Sequence, residues 1–189
     1  MSSRAAGVGS GALSVEERQA LLGAARESIA AHLGGRRPRL PAAAGALAGK
    51  LGAFVTLHRK GGELRGCVGQ ILSERPLLDT VARMAVAAAV EDGRFAPVTA
   101  AELGTLVLEI SVIGPLEPIR PAEVEVGRHG LVVSSGSRRG VLLPQVPGEH
   151  GWDRETFLGH TCVKASLPED AWKKPDVELL AFTAQVFRE

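Results

Sequence analysis

Hairpins, rather than single strands, alternate with the helices of this chain, and that order most constrains its fold. Ala53-Phe54-Val55-Thr56-Leu57-His58 reads as a strand, Lys60-Gly61-Gly62 as a turn, and residues 64–71 as the returning strand. Residues 130–134 and 140–143 read as a second hairpin across 135–139. Helical segments lie around them. Ser14-Val15-Glu16-Glu17 is a capping box, in which the Ser14 hydroxyl and the Glu17 carboxylate each satisfy a backbone N–H. Leu21, Leu22, Ala25, Ile29 and Leu33 then recur at helical spacing until Gly34-Gly35 ends the helix. Pro76 opens a second helix with a stripe of Leu77, Val81, Met84, Ala85 and Ala88, and Asp92-Gly93 stops it. Leu106–Ile113 is a strand rich in branched residues. Asp153 caps a helix carrying Phe157, Leu158 and Cys162, Ser166-Leu167-Pro168-Glu169 reads as a second capping box, and residues 177–187 read as one late strand. Regular βαβ alternation is missing. The reading is therefore α+β, with a mixed, largely antiparallel sheet and packed helices.

Composition narrows the partners. With 189 residues the chain suits one domain, taken as 13–189 behind a flexible Gly/Ser/Ala-rich tail at 1–12. Net charge is +1, so no global field recruits nucleic acid or a membrane surface. Aromatics are 4% with no tyrosine, which removes the stacking platforms of single-strand binders. Nucleic-acid recognition survives only for the basic clusters Arg36, Arg37, Arg39 and Arg138, Arg139, whose simpler reading is solvated loops. No apolar run is long enough to span a bilayer. Two cysteines do not make a disulfide framework and fit a reducing, cytoplasmic setting. No histidine pairs with another or with a cysteine at metal-ligand spacing, and no Walker-type lysine follows a glycine run, so neither metal nor cofactor is expected.

The segment Leu64-Arg65-Gly66-Cys67-Val68-Gly69 carries the candidate chemistry. In a regular strand Arg65 and Cys67 share a face, with Cα atoms about 6.6 Å apart. At an effective dielectric near 20 their attraction is about 2.5 kcal/mol, enough to lower a thiol from about 8.5 to about 6.7. Cys67 is then a nucleophile or redox thiol and Arg65 an anion clamp. Gly66 and Gly69 leave bare backbone for close approach by a ligand or another segment. The competing reading makes Cys67 a small buried hydrophobe and gives the glycines to a bulge. Cys162 reads as packing. His129, in a tight turn, is a candidate general base, against a simple backbone hydrogen bond in that turn. His58 is the second candidate base, with a place near the hairpin turn that favours solvent. Arg94 pairs with Asp92 by default, and either residue is a candidate ligand contact.

Together these segments resemble the AMMECR domain family, in the form found in prokaryotic AmmeMemoRadiSam systems. The resemblance rests on Leu64-Arg65-Gly66-Cys67-Val68-Gly69, Asp92-Gly93-Arg94-Phe95-Ala96-Pro97, Glu109-Ile110-Ser111-Val112, Gly127-Arg128-His129-Gly130-Leu131, Leu142-Leu143-Pro144-Gln145-Val146 and Gly151-Trp152-Asp153. Val68 replaces the usual isoleucine, and Ser166 stands where glycine is usual. The resemblance implies two unequal lobes with a cleft near the signature strand, and it adds Gln145 as a ligand-binding candidate. It implies a Memo-like protein and a radical SAM protein as partners. The family's activity is unsettled, which leaves two readings: a cleft enzyme or enzyme component, or a non-catalytic module that binds substrate or partner.

Overall fold

The computed structural model describes residues 12–189; the proposed tail falls almost entirely outside them. The described chain divides into two compact units, one running to Ile113 and regaining Gln185–Glu189, the other formed by Gly114–Ala184.

In the first unit, helix α1 (Val15–Leu33) opens on the expected capping box, with both reciprocal hydrogen bonds present. Strands β1 (Ala53–Arg59) and β2 (Leu64–Gln70) form the first hairpin. Helix α2 (Leu77–Val90) follows, then a one-turn helix α3 (Ala100–Leu103) and strand β3 (Leu106–Ile113). The sheet order is β2-β1-β3-β8, with β8 at Ala184–Arg188. Alternation along β1 sends Ala53, Val55 and Leu57 to one face, and β3 adds Leu106, Leu108, Ile110 and Val112. Helices α1 and α2 cover that face with Leu21, Ala25, Ile29, Leu77, Val81 and Ala85. Each fully buried Leu or Ile there contributes about 1.5–3 kcal/mol. The opposite face carries Phe54, Thr56 and His58 from β1, and it is the polar one.

The second unit holds the sheet β4-β7-β5-β6. Its strands are β4 (Glu117–Pro118), β5 (Gly130–Ser135), β6 (Arg138–Leu142) and β7 (Glu178–Phe182). The β5–β6 loop is two residues, shorter than the sequence suggests, because Gly136 takes φ +59° at its first central position. Helix α4 (Val146–His150) precedes α5 (Arg154–Lys164), which Asp153 caps by accepting the Thr156 N–H. Leu131, Phe157, Leu158 and Ala181 form one apolar cluster, and Val133, Cys162, Ala165 and Leu167 another. The pairings β1–β2, β1–β3, β4–β7, β5–β6 and β5–β7 are antiparallel.

Two further sequence expectations fail. Residues 177–187 are two strands in different sheets, because the Thr183 carbonyl accepts the Gly114 N–H and breaks the run. No glycine, proline or asparagine marks that exchange in the sequence. Ser166 does not open a helix but closes α5. Its N–H donates to Val163, the Leu167 N–H donates to Cys162, and Ser166 itself takes φ +57°. This is a Schellman ending, whose left-handed residue is usually glycine.

Candidate functional site

The hairpin register decides what stands beside Cys67. Leu57 opposes Gly66 but His58 opposes Leu64, so Arg65 is an extra residue in a bulge. The regular alternation that would put Arg65 beside Cys67 is lost there. The Arg65 side chain, 7% exposed, makes two hydrogen bonds to Glu102 at 2.6 and 3.0 Å. Thr99 caps α3 by accepting the Glu102 N–H, which helps place that carboxylate. Arg65 is thus a compensated structural cation, and no free anion clamp.

Cys67 lies on the polar face of the sheet. Thr56 is directly opposite it on β1, and Glu109 is directly opposite Thr56 on β3. Three strands therefore contribute a row of Cys67, Thr56 and Glu109. The Thr56 hydroxyl donates to the Cys67 sulfur at 3.2 Å. The thiol is half-buried, and burial pushes it above its ordinary value. The Thr56 hydrogen bond and the Arg94 cation oppose that rise, while the Asp92 and Glu109 carboxylates add to it. The structure thereby reverses the expectation of a thiol lowered by Arg65.

The second motif braces the first. Strand β2 is a sheet edge, and the Cys67 N–H donates to Asp92 at 2.8 Å. Asp92 also accepts two hydrogen bonds from the Arg94 guanidinium, at 2.9 and 2.7 Å. Those bonds hold its carboxyl far below the usual carboxylate range. Asp92 is 7% exposed and Arg94 58%, so the pair points its cation outward from a buried anchor. The Phe95 ring lies near both guanidiniums, 6.0 Å from Arg65 and 5.4 Å from Arg94. The default ion pair expected for Arg94 is present.

The glycines serve packing. A methyl group on Gly66 would stand 2.2 Å from the Ala88 carbonyl oxygen of α2. One on Gly69 would stand 2.2 Å from the Phe54 ring. The space beside both is filled by another segment of the protein, and the bulge itself falls at Arg65. His129 belongs to the second unit, where its Nδ1 accepts the Glu125 N–H at 3.1 Å. Gln145, at the start of α4, has a buried Oε1 without a hydrogen-bond partner among the described residues. His58 sits with Nδ1 3.3 Å from the Gly62 carbonyl, and its Nε2 is buried, instead of facing solvent, without a partner among the described residues. Sequence reading missed Thr56, Glu102 and Glu109. Glu109 had a signal, since it is the one charge inside an apolar strand.

Comparison with known proteins shows the family. The AMMECR1 family model matches residues 22–187. A protein of Thermococcus gammatolerans is 49% identical over 150 residues, covering 74% of this chain and 73% of its own. Protein MK0488 of Methanopyrus kandleri is 42% identical over 187 residues, covering 94% and 90%. The crystal structure of the uncharacterised protein PH0010 from Pyrococcus horikoshii superposes with a TM-score of 0.82 at 41% identity, covering 89% of each chain. The chain belongs to the AMMECR1 family.

Proposed function

We propose that this protein is a binding component, which holds a small molecule on the Cys67 face of its first unit while partner proteins perform the chemistry. The observation that carries this reading is the setting of the thiol, a half-buried sulfur whose neighbouring guanidiniums are both paired. A catalytic cysteine acts as thiolate, favoured by an uncommitted cation or a base beside it. Here burial pushes the Cys67 thiol up, and the guanidiniums of Arg65 and Arg94 are both committed to carboxylates. What remains is a polar, half-exposed row with hydrogen-bonding groups fixed from three strands. The family resemblance supplies the partners, a Memo-like and a radical SAM protein acting in the cytoplasm.

Iodoacetamide alkylation of the full chain, followed from pH 6 to pH 10 against Cys67→Ser, tests the assignment. The expected rate keeps climbing beyond pH 9. A plateau below pH 8 would instead make Cys67 an activated nucleophile and the protein a thiol enzyme. Retention of the two partners on immobilised protein tests the second half of the reading. Absence of both from the bound fraction would remove it.

A further inference from the structure

The charges around Cys67 do not sum to zero, and the excess identifies a ligand class. Arg65 is cancelled by Glu102 through two hydrogen bonds, and Arg94 by Asp92 in the same way. The Glu109 carboxylate makes no hydrogen bond or ion pair among the described residues. It is half-buried on the same face as Thr56 and Cys67, at the far end of the row. Strands lie about 4.8 Å apart, so its Cα is about 5 Å from that of Thr56 and about 10 Å from that of Cys67. Phe54, two residues before Thr56 and on the same face, lays its ring over Gly69 and supplies an apolar wall. Removing a carboxylate from water without a partner is costly, and a cation arriving with the ligand offsets that cost.

Resting on the reading above, we propose that the group bound beside Cys67 is cationic, an amine or guanidine on a short apolar stem, and that Glu109 recognises it. The stem lies along Phe54, and the protonated nitrogen reaches the carboxylate. The neutral thiol and the Thr56 hydroxyl bound the space between. An anionic ligand meets Glu109 uncompensated and finds Arg94 already engaged.

Charged methanethiosulfonate reagents read this field at the sulfur itself. The Cys67 thiolate attacks the reagent's sulfenyl sulfur, a disulfide forms, and methanesulfinate leaves. Cys162 is fully buried, and Cys67→Ser gives the background. The rates of the trimethylammonium-ethyl and sulfonato-ethyl reagents are divided by their rates with 2-mercaptoethanol. The normalised ratio should favour the cation about fivefold or more at low salt, and shrink as salt rises to about 0.5 M. Glu109→Gln should bring it to near one, while the rate with uncharged methyl methanethiosulfonate rises, because the carboxylate no longer pushes the thiol up. A wild-type ratio at or below one overturns the proposal. So does a preference that survives Glu109→Gln. The wild-type ratio and its salt dependence stand even where the variant folds poorly. The alkylation profile against pH reports the thiol's protonation separately, so the binding-component reading and the cationic ligand fail by different results.

Discussion

The two cysteines of this chain show what its two units are built to do. Cys162 lies on α5 in the second unit, 0% exposed among Val133, Ala165, Leu167 and Ala171. Burial pushes its thiol up, and packing accounts for it. Cys67 is also pushed up by burial, yet it is half-exposed and framed by a hydroxyl, two carboxylates and a guanidinium. One thiol fills a hydrocarbon core; the other closes a polar row. The difference lies in the neighbours, because the second unit packs apolar residues on this side of its sheet while the first spends ion pairs bracing an edge strand.

The strongest way to break that contrast is to force the brace apart. Gly66→Ala places a methyl group against the Ala88 carbonyl of α2, where backbone cannot yield cheaply. A loss of about 4 kcal/mol is expected in denaturant unfolding. A loss under about 1 kcal/mol would show that β2 is free to shift from α2.

The next largest effect separates the two ion pairs. Glu102→Ala leaves Arg65 buried without its partner and should cost about 2–3 kcal/mol. Arg94→Ala removes an exposed cation and should cost below about 1 kcal/mol. Equal losses would contradict the division into a buried structural pair and an outward one. The hydrogen bonds from Arg65 hold the Glu102 carboxyl below its ordinary value of 4.5. The stability it contributes is therefore complete above that value and lost as pH falls through the lowered one. Acid unfolding of Glu102→Gln should lack that part of the acid limb, and a profile identical to wild type would contradict the assignment.

The smallest effect falls in the second unit. Ser166 is the one non-glycine residue with positive φ among the described residues. Ser166→Gly should stabilise by about 0.5–1 kcal/mol, through relief of the left-handed strain. A fall in melting temperature would mean that the serine makes a compensating contact.

The sequence made much of this readable, and the failures share a cause. Periodicity located α1, α2, β1, β2, β3 and α5, and the side chains of Ser14 and Asp153 marked two helix starts. Cys67 stood out as a residue type in a glycine-flanked strand. Its neighbours did not, because alternation assumes a regular pleat and one inserted residue at Arg65 redirects a guanidinium into the interior. The partner of that guanidinium lies 37 residues away on a one-turn helix with too few residues to show a period. The break at Thr183 depends on a hydrogen bond to Gly114, which no local pattern announces. Local signals thus gave the elements, while long-range pairing set the chemistry around the sulfur.

The most direct test is an NMR titration of the cysteine β-carbons in protein labelled with 13C-cysteine, with Cys67→Ser assigning the two resonances. The Cys67 signal should keep its thiol shift through neutral pH, with a midpoint above the ordinary thiol value. A transition centred below pH 8 would contradict the protonated thiol on which the binding role rests.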